Sequence, residues 1–108
     1  MLSKVNTANE TNTTPTLTAV RFPLGRLLIT TGAAEVIEEA GQSPQEFINR
    51  HARLERGESG EEDYRENLFS VDKRLRIFSV FKMANGVKIW VISESDRSTT
   101  TLLLPSEY

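Results

Sequence analysis

A chain of 108 residues with a formal net charge of −2 and a pI near 5.4 has room for one hydrophobic core and no second domain. It contains no cysteine, which excludes disulfides, zinc–thiolate sites, iron–sulfur clusters and a cysteine nucleophile. The acidic balance argues against holding nucleic acid by bulk electrostatics, because that affinity comes from many Lys and Arg contacts to phosphate.

Residues 1–19 are rich in Thr and Asn and poor in large apolar side chains, which predicts a mobile tail ahead of one domain over residues 20–108. No apolar run approaches a membrane span, and the first residues lack the apolar stretch of a signal peptide, so a cytoplasmic protein without a membrane partner is expected. Leu24, Leu27, Leu28 and Ile29, with Pro23 before them, suit a strand that begins at a sheet edge. Ala33, Val36, Ile37 and Ala40 then fall at helical spacing, and Gly41 follows where a left-handed residue ends a helix. Ser43, Pro44 and Glu46 predict a capped second helix with an apolar stripe of Phe47, Ile48, His51 and Leu54. Ser59 and Glu62 predict a third, with Tyr64, Leu68 and Val71 along its inner side.

From Arg74 the period becomes two. Two strands meet at Asn85-Gly86, and a third, from Ser98 to Pro105, follows a polar turn. A two-residue turn at Asn85-Gly86 places Phe81 opposite Trp90 and Ser79 opposite Ile92 on one face, with Phe78, Val80, Ile89 and Val91 on the other. The expected class is α+β in the order β-α-α-α-β-β-β, a small antiparallel sheet with helices on one face. Both hairpin faces are apolar at the centre, so the uncovered one is expected to meet the N-terminal segment or a second molecule, giving a homodimer.

His51 is the only histidine, so histidine pairs cannot bind a metal, and any acid–base role for imidazole falls on it. A packed structural histidine is the simpler reading of its place on an apolar stripe. Asp63 and Asn67 lie four residues apart on one helical side, where the amide needs a hydrogen-bond partner. The turn Ser93-Glu94-Ser95-Asp96-Arg97-Ser98-Thr99 is the densest polar cluster: its carboxylates, its guanidinium and its hydroxyls could orient a phosphate, or they could simply turn the chain. No phosphate loop, nucleophile elbow, metalloprotease or dinucleotide motif is present, and no cofactor or metal is expected.

The segment from Arg74 to Tyr108 resembles an uncharacterised family of small bacterial proteins of plasmids and mobile elements, through Ile89-Trp90, Glu94, Asp96-Arg97-Ser98, Thr100-Thr101, Leu103-Leu104-Pro105 and Glu107-Tyr108. Gly25, Gly32-Ala33, Arg50-His51, Asp63 and Asn67 extend the resemblance over residues 22–108. Relatives of that kind usually follow the Arg-His pair with Gly-Asp-Trp-Gly, where this chain has Glu58 and Ser59 in the middle positions. The resemblance implies a mobile-element setting and no established activity. The expected function is therefore a cytoplasmic interaction module with a protein partner, binding through Asp63, Asn67, Trp90, Asp96, Arg97 and Ser98. The order of helices and strands also resembles the barnase and mRNA-interferase group, which implies the alternative: a metal-independent endoribonuclease acting on RNA through His51, Arg50, Glu94, Arg97 and Thr99.

Overall fold

The computed structural model describes residues 20–108, and the tail expected over 1–19 lies outside the described residues. Its elements are β1 (Arg26–Ile29), α1 (Thr31–Glu39), α2 (Pro44–Ala52), α3 (Glu61–Lys73), β2 (Ile77–Lys82), β3 (Lys88–Ser93) and β4 (Thr99–Leu103), closed by a 3-10 turn at Pro105–Glu107. This is the expected α+β order. The sheet runs β1-β4-β3-β2: the last three strands form an antiparallel meander, and β1 joins β4 in parallel. Parallel pairing requires a long connection between the partners, and the three helices lie within it. Among the described residues no helix is long and apolar enough to cross a membrane.

Local chemistry fixes the first two helices. Thr30 accepts the Ala33 N–H at 3.1 Å at the start of α1, and Gly41 takes φ +71° just past its end. Ser43 caps α2 through the Gln45 N–H at 3.2 Å, with Pro44 at the first helical position. The expected reciprocal cap by Glu46 does not close, because its carboxylate accepts from Gln42 Nε2 at 3.0 Å instead. Both helices bury their apolar sides against one sheet face: Ala33, Ile37, Phe47 and Ile48 meet Phe81, Ile89, Val91 and Leu102. Phe22, Leu54 and Ile77 form a smaller cluster beside them.

α3 departs from its expected pattern at its start and along its inner side. Gly60 is its N-cap and gives no side-chain bond, so the Ser59–Glu62 cap does not form, and the acidic first turn faces the positive end of the helix dipole. Its buried residues are Asn67 and Ser70, whereas Leu68 is exposed and Phe69 is 56% exposed. The reason is position: Asn67 donates to the Phe78 carbonyl at 2.7 Å and accepts the Phe78 N–H at 3.0 Å. The helix thus meets the polar edge of β2, and an edge takes amide partners where a sheet face takes leucines.

The hairpin also differs from expectation by one residue. Val80 pairs with Trp90, Phe81 with Ile89 and Lys82 with Lys88, while Met83 N–H reaches Val87 O at 2.8 Å. The loop therefore has three residues, Ala84-Asn85-Gly86, with Gly86 at φ +89°. That single residue moves β3 to the opposite alternation. Ile89 and Val91 join Phe81 under the helices, and Trp90 and Ile92 join Phe78 on the second face.

The two sheet edges are treated differently. On β2, Asn67 satisfies Phe78, and Glu58 N–H donates to Val80 O at 2.7 Å. Gly57 lets the loop come this close: it sits at φ +59°, and a Cβ there would lie 2.3 Å from Val80 O. On β1, Leu27, Leu28 and Ile29 are all exposed, and among the described residues no backbone group pairs with the outer side.

Candidate functional site

The polar turn between β3 and β4 divides its side chains between the interior and the surface. Glu94 N–H donates to Thr99 O at 3.0 Å and Arg97 N–H to Glu94 O at 2.9 Å, which closes the turn with Arg97 in the left-handed region at φ +60°. Asp96 is exposed and accepts the Ser98 N–H at 2.9 Å; the Ser98 hydroxyl and N–H hold its carboxyl below the usual range. Thr99 enters β4 opposite Arg26, and Glu94 approaches Arg76 at 3.5 Å on the surface.

Arg97 points the other way. The residue is only 8% exposed, and its guanidinium donates to Leu75 O at 2.8 Å, Glu94 O at 3.0 Å and Ser70 O at 2.9 Å, and lies 5.6 Å from the Phe22 ring centre. Ser70 O belongs to the last turn of α3, where the helix dipole is negative. Burial, then the charge of Arg74, lowers the Arg97 pKa, and the guanidinium remains protonated. Arg97 is thus a clamp between the turn and the C-terminus of α3.

His51 is fully buried beneath the sheet. Its Nδ1 is 2.7 Å from Ser79 Oγ and its Nε2 is 2.9 Å from Ser93 Oγ; Ser93 Oγ lies 2.6 Å from Thr100 Oγ1, which donates to Leu24 O at 2.7 Å. Each hydroxyl has one proton, so the last bond sets those before it as far as the ring. Thr100 gives its proton to a carbonyl, hence Ser93 donates to Thr100 and His51 Nε2–H donates to Ser93; burial keeps the ring uncharged, so Nδ1 accepts from Ser79. The imidazole is neutral with its proton on Nε2. Burial, with the Arg97 charge adding to it, pushes its pKa down to about 3. The edge of the Phe22 ring closes the remaining side, with ring centres 5.3 Å apart.

Arg50, next to it in sequence, faces outward. It donates to Glu55 at 2.8 Å and lies 4.4 Å over the Phe81 ring, so it reaches neither His51's partners nor the polar turn through any hydrogen bond. The candidates proposed for acid–base work therefore occupy three separate environments: His51 in the core, Arg97 in a carbonyl cage, and Arg50, Glu94 and Thr99 in local surface or backbone contacts.

A cleft of about 300 Å³ lies between α3 and β2, lined by Asp63, Glu66, Asn67, Ser70, Arg76 and Phe78 among others. Asp63 and Glu66 form an exposed acidic wall, one helical turn apart, and Phe78 and Val80 form an apolar floor. From Phe78 an aromatic row continues: Trp90 stands edge-on at 4.7 Å between ring centres, and Tyr108 edge-on to Trp90 at 5.6 Å. Arg76 closes the row by donating to the Tyr108 hydroxyl at 3.1 Å. Asp63, Asn67 and Trp90 thus gather around one surface, while Asp96, Arg97 and Ser98 belong to the turn.

The partners of His51 and the members of the row carried weak signals in the sequence. Ser79 and Ser93 interrupt otherwise apolar strands, a small hydroxyl where a leucine or valine is expected, and that interruption marks a buried polar contact. Arg76 and Tyr108 show nothing comparable, since only the fold brings residues 32 apart together. No protein-family model matches the chain, and comparisons with curated proteins and with solved structures find no match.

Proposed function

We infer that the chain is a small interaction module of the bacterial, mobile-element kind that its C-terminal motif implies, acting in the cytoplasm by modulating a host or defence protein. The observation that supports this reading is the division of its polar side chains. His51, Asn67 and Arg97 are spent on internal hydrogen bonds, and what faces solvent is a binding surface: the acidic wall of Asp63 and Glu66, the floor of Phe78 and Val80, and the Trp90–Tyr108 row. A surface with carboxylates on one side and aromatic edges on the other suits a peptide segment that carries a basic residue beside an apolar one. The ribonuclease alternative finds no support in this arrangement, because it relied on an imidazole that meets solvent and shares a substrate with the polar turn.

Selection of displayed random peptides on the whole protein tests the reading. Enriched sequences are expected to hold Lys or Arg within two positions of an apolar residue, and to lose binding to the Asp63→Lys/Glu66→Lys variant. Peptides that bind the variant equally well, or no enrichment at all, would overturn it. Cleavage of a mixed-sequence RNA in the presence of a chelator, by the wild type but not by an Arg97→Ala control that remains folded, would restore the ribonuclease reading.

A further inference from the structure

The geometry points to a symmetric dimer in which β1 of one copy pairs antiparallel with β1 of a second, joining two four-stranded sheets into one of eight strands. The first argument is the contrast between edges. Asn67 and the Glu58 amide close the outer side of β2, whereas β1 presents an uninterrupted Leu27-Leu28-Ile29 edge whose residues are 45%, 39% and 40% exposed. Proteins that avoid edge pairing place charges, prolines or covering segments there, and among the described residues Leu27, Leu28 and Ile29 have none of these, the one charge of β1 being Arg26 at its first residue.

The second argument is register. Arg26 N–H donates to Ser98 O at 2.9 Å and Thr30 N–H to Leu102 O at 3.1 Å, so residues 26, 28 and 30 turn their backbone groups toward β4. Leu27 and Ile29 turn theirs outward. Antiparallel pairing about a twofold axis at Leu28 sets Leu27 of each copy against Ile29 of the other, making four N–H···O bonds, with the two Leu28 side chains as the central pair that lacks hydrogen bonds. Leu28 then packs against its own copy on one sheet face, and Leu27 and Ile29 pack against each other on the helix-bearing face.

The third argument is charge, and it selects a second copy of this chain as the occupant. The same axis sets Arg26 opposite Thr30 of the other copy. The Thr30 hydroxyl donates to the Glu107 carboxylate, which also accepts the Leu104 N–H at 2.8 Å at the start of α1. The Thr30 hydroxyl, followed by the Leu104 N–H, keeps that carboxyl below its usual range, so it is ionised at neutral pH. Each end of the paired strands thereby places a guanidinium beside a fixed carboxylate, twice by symmetry.

Sedimentation of the full chain over a concentration series, combined with cysteine crosslinking, tests the dimer. The wild type is expected to shift from a species of 12.2 kDa to one of twice that mass, and Leu28→Lys, which places two ammonium groups face to face, to weaken association at least tenfold. The chain has no cysteine of its own, so Leu28→Cys reports register: central pairs without hydrogen bonds lie about 4.5 Å apart at Cα, within reach of a disulfide. Oxidation is expected to crosslink Leu28→Cys and to leave Leu27→Cys uncrosslinked. A wild type that stays monomeric overturns the proposal, and if Leu27 and Ile29 amides are then protected from hydrogen exchange, a segment of the same chain occupies the edge. A dimer that survives Leu28→Lys, or that crosslinks equally at both cysteines, also overturns the proposed pairing.

Discussion

Acidification below neutral pH should destabilise this protein through one residue. His51 is neutral in the folded state with a pKa pushed down to about 3, against 6.5 for an exposed imidazole. A base whose folded pKa is depressed contributes stability in full above the unfolded value and loses it as pH falls toward the folded one, because only the unfolded chain takes up the proton. The gap sets a ceiling of about 5 kcal/mol, at about 1.4 kcal/mol per pH unit. Between pH 7 and pH 5 the loss is about 2 kcal/mol, before the carboxylates begin to protonate. Urea unfolding at half-unit pH steps measures it, with His51→Gln as the control: the variant is less stable at pH 7, yet flat from pH 7 to 5. The single histidine also gives one imidazole resonance to follow by NMR. A wild-type curve parallel to that of His51→Gln, or an imidazole titrating near pH 6.5, would refute the neutral buried relay from Ser79 to Leu24.

Other substitutions separate the internal contacts from one another. Arg97→Lys keeps the charge but lacks the fork that spans Leu75 O, Glu94 O and Ser70 O; a loss of about 2–4 kcal/mol is expected in urea unfolding, and an unchanged midpoint would contradict the clamp. Asn67→Asp retains an acceptor for Phe78 N–H but cannot donate to Phe78 O once ionised, so it should cost about 1–3 kcal/mol and Asn67→Ala at least as much. Arg74 caps α3 in the left-handed region at φ +57°, and Arg74→Gly should stabilise the protein by about 1 kcal/mol; a lower thermal midpoint would count against strain at that cap. Gly57→Ala should cost at least about 1–2 kcal/mol from its positive φ alone and expose the Glu58 amide to hydrogen exchange, whereas continued protection would show that the loop accommodates a Cβ.

The element order was legible because each helix and strand carries its own punctuation. Thr30, Ser43, Pro44 and Gly41 act within a few residues of the backbone they fix, and local interactions need no knowledge of the fold. The register of the β2–β3 hairpin was not legible. Asn85-Gly86 serves a two-residue turn and a three-residue loop equally well, and both alternations of β3 bury two large apolar side chains. The choice falls to tertiary contacts, with Ile89 and Val91 packed in one cluster with the apolar sides of α1 and α2. The inner face of α3 was not legible for a related reason. Helical periodicity assumes an apolar neighbour, but α3 lies beside a strand edge that asks for Asn67.

The polar residues of the C-terminal segment acquire a physical meaning from these contacts. Asp96 caps the turn through Ser98, Arg97 holds the end of α3, Thr100 passes the His51 relay on to Leu24, and Glu107 anchors the start of α1 through Thr30. Each of these residues has the chemistry of an active site, and each directs it at the backbone or at a neighbouring side chain of the same domain. The C-terminal segment thus holds the fold together through its polar side chains as well as its apolar ones. Glu58 contributes differently: it guards the edge of β2 with its main-chain N–H, a contact that is indifferent to its side chain. Side chains can therefore vary at Glu58 and at the exposed positions of α3, Asp63 and Glu66 among them, without disturbing this framework.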